Sequence, residues 1–245
     1  MIDQKAIRAL TERYQTTMDN VAREYFQHLF LSVLYQQKKS ERLWFKGGTA
    51  LRIIYGSPRF SEDLDFTGLD ISVREIESVL EATLVQIEHE GIRVEIDEAK
   101  KTSGGYFGIL AFKSDECQSE IQFEVSLRKG GEGKGGASLI SSNFLPPYTI
   151  VQLEEKTLVK EKVNAILTRS KPRDFYDLYF ILRSRLALKE VFGKDKALKS
   201  KLLACILKDR TNLRSELKRF LPVSQHSLLK DFRSTLTKEI ERNLP

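Results

Sequence analysis

Phe45-Lys46-Gly47-Gly48-Thr49-Ala50 and, shortly after it, Ser61-Glu62-Asp63-Leu64-Asp65-Phe66 decide how this 245-residue chain is read. The first is a glycine turn ahead of a helix-like run. In the second, two aspartates sit one residue apart inside an apolar segment. Side chains alternate faces along an extended strand, so Leu64 and Phe66 are expected in a core and Asp63 and Asp65 together on the opposite face. Two adjacent carboxylates repel, and burying either one unpaired is costly. A hard divalent cation such as Mg²⁺ between them is the economical answer. Each half alone has a bland reading: Gly-Gly pairs are commonly only turns, and aspartates often alternate outward on a half-solvated strand. Together they are the equipment of nucleotidyl or phosphoryl transfer.

Composition limits the alternatives. With 41% hydrophobic and 30% charged residues the chain reads as globular, with ample core for one large domain or two small ones. No apolar run reaches the ~18 residues of a membrane helix, and MIDQKAIRALTERYQ is polar and amphipathic rather than a signal segment. Cys117 and Cys205 have neither zinc-site spacing nor a disulfide framework. A cytoplasmic location without membrane association is expected. Residues 187–245 carry 14 Lys/Arg against 7 Asp/Glu, whereas the first 186 residues are nearly neutral. A basic tail suits a polyanionic partner such as RNA; a solvated helical surface has the same composition.

Outward from the two motifs, residues 3–40 read as helical, with Ile7, Leu10, Tyr14, Val21, Tyr25, Leu29 and Val33 recurring every three or four positions. A strand at 43–46 leads into the glycine turn and a helix to about Tyr55, which Gly56-Ser57-Pro58 breaks. The carboxylate strand spans 62–67. Ser72 caps a helix to about Glu90, with Glu75 completing a capping box. Strands follow at 92–99, 106–113 and 119–127, the first two joined as a hairpin through Thr102-Ser103-Gly104-Gly105. On the third, Glu124 falls on the polar face. Gly130 to Gly136 reads as a mobile loop; it is no Walker A loop, because Arg128 and Gly135 stand where Gly and Ser or Thr belong. From Leu153 the pattern is helical. The expected organisation is a sheet domain over 1–150 and a helical domain over 151–245, divided near Leu145-Pro146-Pro147-Tyr148, with no internal repeats.

Within the helical half, Leu158, Val159, Val163 and Ile166 form one stripe, and Lys162 falls inside it while Lys156 and Lys160 do not. An inward lysine needs an anion, which a bound phosphate or the acidic site would provide, unless its stem snorkels to solvent. In Arg173-Asp174-Phe175-Tyr176-Asp177-Leu178-Tyr179, the residues Phe175, Leu178, Tyr179 and Leu182 read as a core stripe. Asp174 lies in the first turn, where a helix dipole favours an acid.

Lys46-Gly47-Gly48-Thr49-Ala50-Leu51, then Arg59-Phe60-Ser61-Glu62-Asp63-Leu64-Asp65-Phe66, then Glu161-Lys162 through Ala165, Arg169 and Arg173-Asp174-Phe175-Tyr176-Asp177-Leu178 stand in one order. In that order they resemble the AbiEii/AbiGii nucleotidyltransferase toxin family, which includes the MenT toxins. The resemblance spans residues 43–182. It implies an α+β fold: a polymerase-β-like nucleotidyltransferase core with a mixed sheet, plus a C-terminal helical domain. It also implies an enzyme of a toxin–antitoxin or phage-defence module, transferring a nucleotide from a nucleoside triphosphate to RNA, with the tRNA 3′ end as acceptor and a cognate antitoxin as partner. By the same resemblance Asp63 and Asp65 bind Mg²⁺, and Gly47, Gly48, Thr49 and Ser61 receive the phosphates. Glu124 takes the place of the fold's third acid as base or metal support, Lys162 pairs with phosphates, and Asp174 completes the later motif. Two rival readings keep the residues but change the role: modification of a small molecule or a protein, or a non-catalytic nucleotide- or partner-binding module.

Overall fold

In a computed structural model of the chain, residues 2–130, 134–193 and 196–244 are described. The chain divides into two units, one of residues 1–56 and 60–153, the other of 57–59 and 154–245.

The first unit begins with α1 (Gln4–Tyr14) and α2 (Met18–Leu34). The helical pattern expected over 3–40 forms two helices. Gln15 ends α1 in the left-handed region at φ 51°, and Thr17 caps α2 by accepting from the Asn20 N–H. β1 (Leu43–Lys46) runs directly into α3 (Gly47–Ile53), and β2 (Asp63–Leu69) carries the carboxylates. α4 (Val73–His89) opens on the full Ser72–Glu75 capping box, then come β3 (Arg93–Thr102), β4 (Gly105–Lys113) and β5 (Gln118–Arg128). The 102–105 hairpin forms, with Thr102 opposite Gly105. Two strands absent from the sequence reading complete the unit, β6 (Gly135–Ile140) and β7 (Tyr148–Leu153). The expected loop at 130–136 is therefore partly strand, while Gly131-Glu132-Gly133 lies outside the described residues.

The seven strands make one mixed sheet in the order β3-β4-β5-β2-β1-β7-β6. β2 lies antiparallel to β1 and parallel to β5, and β1 lies parallel to β7. α2 packs on one face: Phe30 lies edge-on against Phe123 of β5, and Phe26 stacks on Phe112 of β4. Because α2 is buried nearly all round, it also buries polar groups, each of which needs a partner. His28 finds one in the Tyr148 hydroxyl, 2.7 Å from Nδ1. Burial, with Arg52 nearby, lowers the His28 pKa to about 3 and keeps the ring neutral.

The second unit is helical: α5 (Glu155–Thr168), α6 (Pro172–Ser184), α7 (Leu188–Phe192), α8 (Lys196–Lys208), α9 (Leu213–Lys218) and α10 (Phe232–Asn243). Leu158, Val159, Val163 and Ile166 of α5 are buried as their spacing requires, and Phe175, Leu178 and Leu182 form the matching stripe of α6. Tyr176 of α6 stacks on Phe232 of α10, with centroids 5.9 Å apart. The α+β architecture, a mixed sheet with a C-terminal helical part, is the one expected. No helix among the described residues is long and apolar enough to cross a membrane.

Candidate active site

The alternation in β2 is as the sequence demands: Leu64 and Phe66 are fully buried, and Asp63 and Asp65 are half-buried on the other face. The register then extends the polar face across three strands. Asp65 stands opposite Lys46 of β1 on one side and Glu124 of β5 on the other. Apolar residues share the opposite face of the same strands, where Phe66 pairs with Phe45 and Val125. Glu124 is exposed, so it is reachable from solvent beside Asp65.

The glycine turn meets this row directly. Gly47 has φ +85°, a conformation that L side chains rarely adopt. A Cβ placed there would overlap the Asp65 carboxylate and Cβ. Glycine is thus required twice, for the backbone conformation and for the close approach of the turn to Asp65. Thr49, fully buried, donates its hydroxyl to the Asp63 carbonyl, which ties the first turn of α3 to the start of β2. Ser61 is buried just before the carboxylates, and its carbonyl accepts from Gln27. The first unit therefore brings Gly47, Gly48, Thr49, Asp63, Asp65 and Glu124 together around β1 and β2, with Ser61 leading into them. It adds Lys46, whose place beside Asp65 went unread although a lysine ending the apolar strand Leu43-Trp44-Phe45 was a visible signal.

Among the described residues no cluster of three or more His, Cys, Asp or Glu forms a ready metal cage. Mg²⁺ does not require one. It is commonly held by one or two carboxylates together with substrate phosphates and water, and two half-buried aspartates on one strand face fit that donor set.

A family model described as nucleotidyl transferase AbiEii toxin, type IV toxin–antitoxin system, matches residues 29–241. The chain belongs to the AbiEii nucleotidyl transferase toxin family. Its activity is nucleotidyl transfer, and membership implies a nucleoside triphosphate substrate and a partner antitoxin. Among solved structures it is similar to JHP933 from Helicobacter pylori, with 18% identity, TM-score 0.60, and 93% of this chain and 92% of that chain covered. It is also similar to MenT4, a nucleotidyltransferase toxin from Mycobacterium tuberculosis, with 18% identity, TM-score 0.59, and 98% and 89% covered. At these identities the likeness is one of fold. No curated protein matches the sequence.

The AbiEii helical unit holds the later motif, where Lys162 and Asp174 lie. Lys162 is buried, with its ammonium 2.8 Å from the Asp177 carboxylate. Arg59, itself 2% exposed, grips the same carboxylate with Nε at 2.8 Å and Nη2 at 3.1 Å. Burial pushes the Asp177 pKa up, but the two cations outweigh it and hold the carboxyl below its ordinary value. The anion that an inward Lys162 requires is therefore present in the protein itself, as Asp177. Asp174 is fully buried and serves the start of α6: it accepts from the Lys171 backbone N–H at 3.1 Å and takes a forked pair from Arg169 at 2.9 and 2.8 Å. Arg59 and Asp177 both stood in the recognised motifs, yet nothing local showed that residues 118 positions apart would pair. Of the basic tail, Lys201 and Lys218 are exposed, whereas Lys199 donates to the Glu241 and Leu244 carbonyls at 3.3 and 2.9 Å, at the end of α10.

Proposed function

We propose that the protein is a Mg²⁺-dependent toxin that transfers a nucleoside monophosphate from a nucleoside triphosphate to RNA, with the tRNA 3′ end as acceptor. One observation carries the proposal: Gly47 is packed against Asp65, so a glycine backbone turn and a pair of half-buried carboxylates meet at β1–β2. In the reaction an acceptor hydroxyl oxygen bonds to the α-phosphorus, the bond to the β-phosphate bridging oxygen breaks, and pyrophosphate leaves. Asp63 and Asp65 are the residues that would hold Mg²⁺, which when bound supplies charge neutralisation at the triphosphate. In this reading the backbone N–H groups of Gly47, Gly48 and Thr49 would meet the phosphates, and the Ser61 hydroxyl would join them. Glu124, exposed and opposite Asp65, would accept the proton of the acceptor hydroxyl or support the metal. Lys162 and Asp174 are assigned to building the helical unit, Lys162 by neutralising Asp177 and Asp174 by starting α6. Residues 1–150 form the catalytic core in this reading, and 151–245 the basic helical part that favours a polyanionic acceptor in the cytoplasm.

The test is incubation with each labelled nucleoside triphosphate, Mg²⁺ and total RNA. Label is expected in the tRNA-sized fraction, lost on chelation and absent with Asp63→Asn. Label in protein or in a small molecule would move the acceptor to a different class. Full activity of a folded Asp63→Asn protein would refute the two-carboxylate site.

A further inference from the structure

Of the buried polar side chains of α2, Glu24 and Gln27 reach toward the catalytic segments, although no part of the proposed chemistry uses them. Both precede residue 29, where the family match begins. Burying a glutamate and a glutamine on a helix costs solvation unless each is fully paired. Here both are paired, and both partners lie next to the catalytic segments. Glu24 takes a fork from Arg52, with Nε–Oε1 at 2.9 Å and Nη2–Oε2 at 2.8 Å. Arg52 is in the last turn of α3, the helix whose first residue is Gly47. Its guanidinium also lies 3.5 Å from the centroid of the Phe60 ring. Gln27 donates to the Ser61 carbonyl at 3.0 Å. Arg23, one residue from Glu24, approaches Glu62 at 3.9 Å.

Phe60, Ser61 and Glu62 are thus each held in sequence, immediately before Asp63. At the other end of α3, Thr49 is tied to the Asp63 carbonyl and Gly47 abuts Asp65. The result is a closed frame: α2 grips the far end of α3 and the approach to β2, and the near end of α3 meets the carboxylates. A bare salt bridge for stability would not need this arrangement, since an apolar pair would serve as well. What a forked pair and an amide-to-carbonyl bond add is direction. We infer that Glu24 and Gln27 are positioning residues for nucleotidyl transfer, setting the spacing between the glycine turn and the carboxylates of Asp63 and Asp65 through Arg52 and Ser61. The inference rests on the proposed site. Burial raises the Glu24 pKa, and the Arg52 guanidinium offsets that rise only in part.

The experiment compares Gln27→Leu, which keeps bulk and removes the donor, with Glu24→Gln, which keeps shape and removes the charge. Three quantities are read on the full chain: thermal unfolding, Mg²⁺-dependent equilibrium binding of a fluorescent nucleoside triphosphate, and nucleotide incorporation into total RNA across Mg²⁺ concentration. Each variant is expected to stay folded, with kcat lowered about 10–100-fold and nucleotide KM within about threefold of wild type, as for small misplacements of reacting groups. The Mg²⁺ midpoint should rise several-fold in both binding and turnover. Wild-type kcat and midpoint in folded Gln27→Leu overturn the inference, and so does activity that falls only in proportion to the folded fraction. If Gln27→Leu does not fold, Glu24→Gln decides by the same criteria. Asp63→Asn run alongside separates the two levels. Activity retained there removes the site, and the inference with it, whereas an inactive Asp63→Asn beside a normal Gln27→Leu removes the positioning role alone.

Discussion

Replacing Lys162 by Met removes one of two cations from a carboxylate that has almost no contact with water. Asp177 is 1% exposed, and Lys162 reaches it at 2.8 Å while Arg59 holds it by a fork at 2.8 and 3.1 Å. Stripping a buried charge of its partner costs about 3–5 kcal/mol. Because Arg59 remains, the expected loss is nearer that of one hydrogen bond to a charged group, about 1.5–3 kcal/mol. The same accounting ranks Asp177→Asn as worse, at about 3–5 kcal/mol, since it leaves Arg59 and Lys162 facing each other in the interior. Lys160→Met, on the exposed side of α5, should be nearly silent. Thermal unfolding checks this ranking, because in a chain of this size each kcal/mol is about 2–4 °C. Incorporation of labelled nucleotide is measured alongside. Lys162→Met is expected to melt lower, and to recover activity when assayed well below its melting point. If Lys162→Met melts with the wild type yet loses transfer by orders of magnitude, the ammonium acts on substrate and the building role is refuted. The pH dependence has a definite sign. A carboxyl held below its unfolded pKa contributes stability above that value, about 3.9, and the contribution is lost as pH falls from there toward the folded pKa. Acid should therefore narrow the gap between wild type and Asp177→Asn.

Gly47→Ala should abolish transfer, because its methyl displaces the Asp65 carboxylate, and should cost about 1–2 kcal/mol for the left-handed backbone plus the cost of moving Asp65; a folded, fully active variant in the incorporation assay would contradict the close-approach argument. His28, neutral when folded and with a pKa near 3, takes up its proton in the unfolded chain below about pH 6.5. Stability should thus fall as pH drops from 6.5, by on the order of 1.4 kcal/mol per pH unit at most, and melting curves of His28→Gln should show a shallower acid slope than wild type. Neutralising exposed Lys201 and Lys218 should flatten the salt dependence of RNA binding by roughly 0.7 in the log–log slope per lost phosphate contact. The same change at Lys199 should lower the melting temperature instead, since that side chain is spent on the end of α10.

The residues that could be read from sequence are those whose partners are close by or whose period is unmistakable. Leu64 and Phe66 alternate with Asp63 and Asp65 over too few positions to suit anything but a strand, and Ser72 with Glu75 announces α4. Lys162 was legible as inward-facing because Leu158, Val159, Val163 and Ile166 fix the stripe around it. Its anion was not, because Asp177 reaches it from another helix. β6 gave no signal of its own: Gly135-Gly136-Ala137 has little strand preference and pairs only because Val151 to Leu153 lie opposite. Leu145-Pro146-Pro147 hid β7 in the same way, reading as a linker when the strand begins one residue later. Arg59 follows a proline in a segment that reads as loop, and only a partner far along the chain makes burial of its guanidinium tolerable.

That last pairing has a consequence during synthesis. Arg59 leaves the ribosome 118 residues before Asp177. At roughly 5–20 residues per second it waits about 6–24 s for the carboxylate that neutralises it. For most of that interval, until residue 154 is reached, Ser57–Arg59 belongs to a unit whose other residues have not been made. The helical unit therefore cannot be translated as a self-sufficient continuous piece. A fragment starting at residue 154 would lack its buried arginine, and a nascent chain halted before residue 177 would keep that arginine in water.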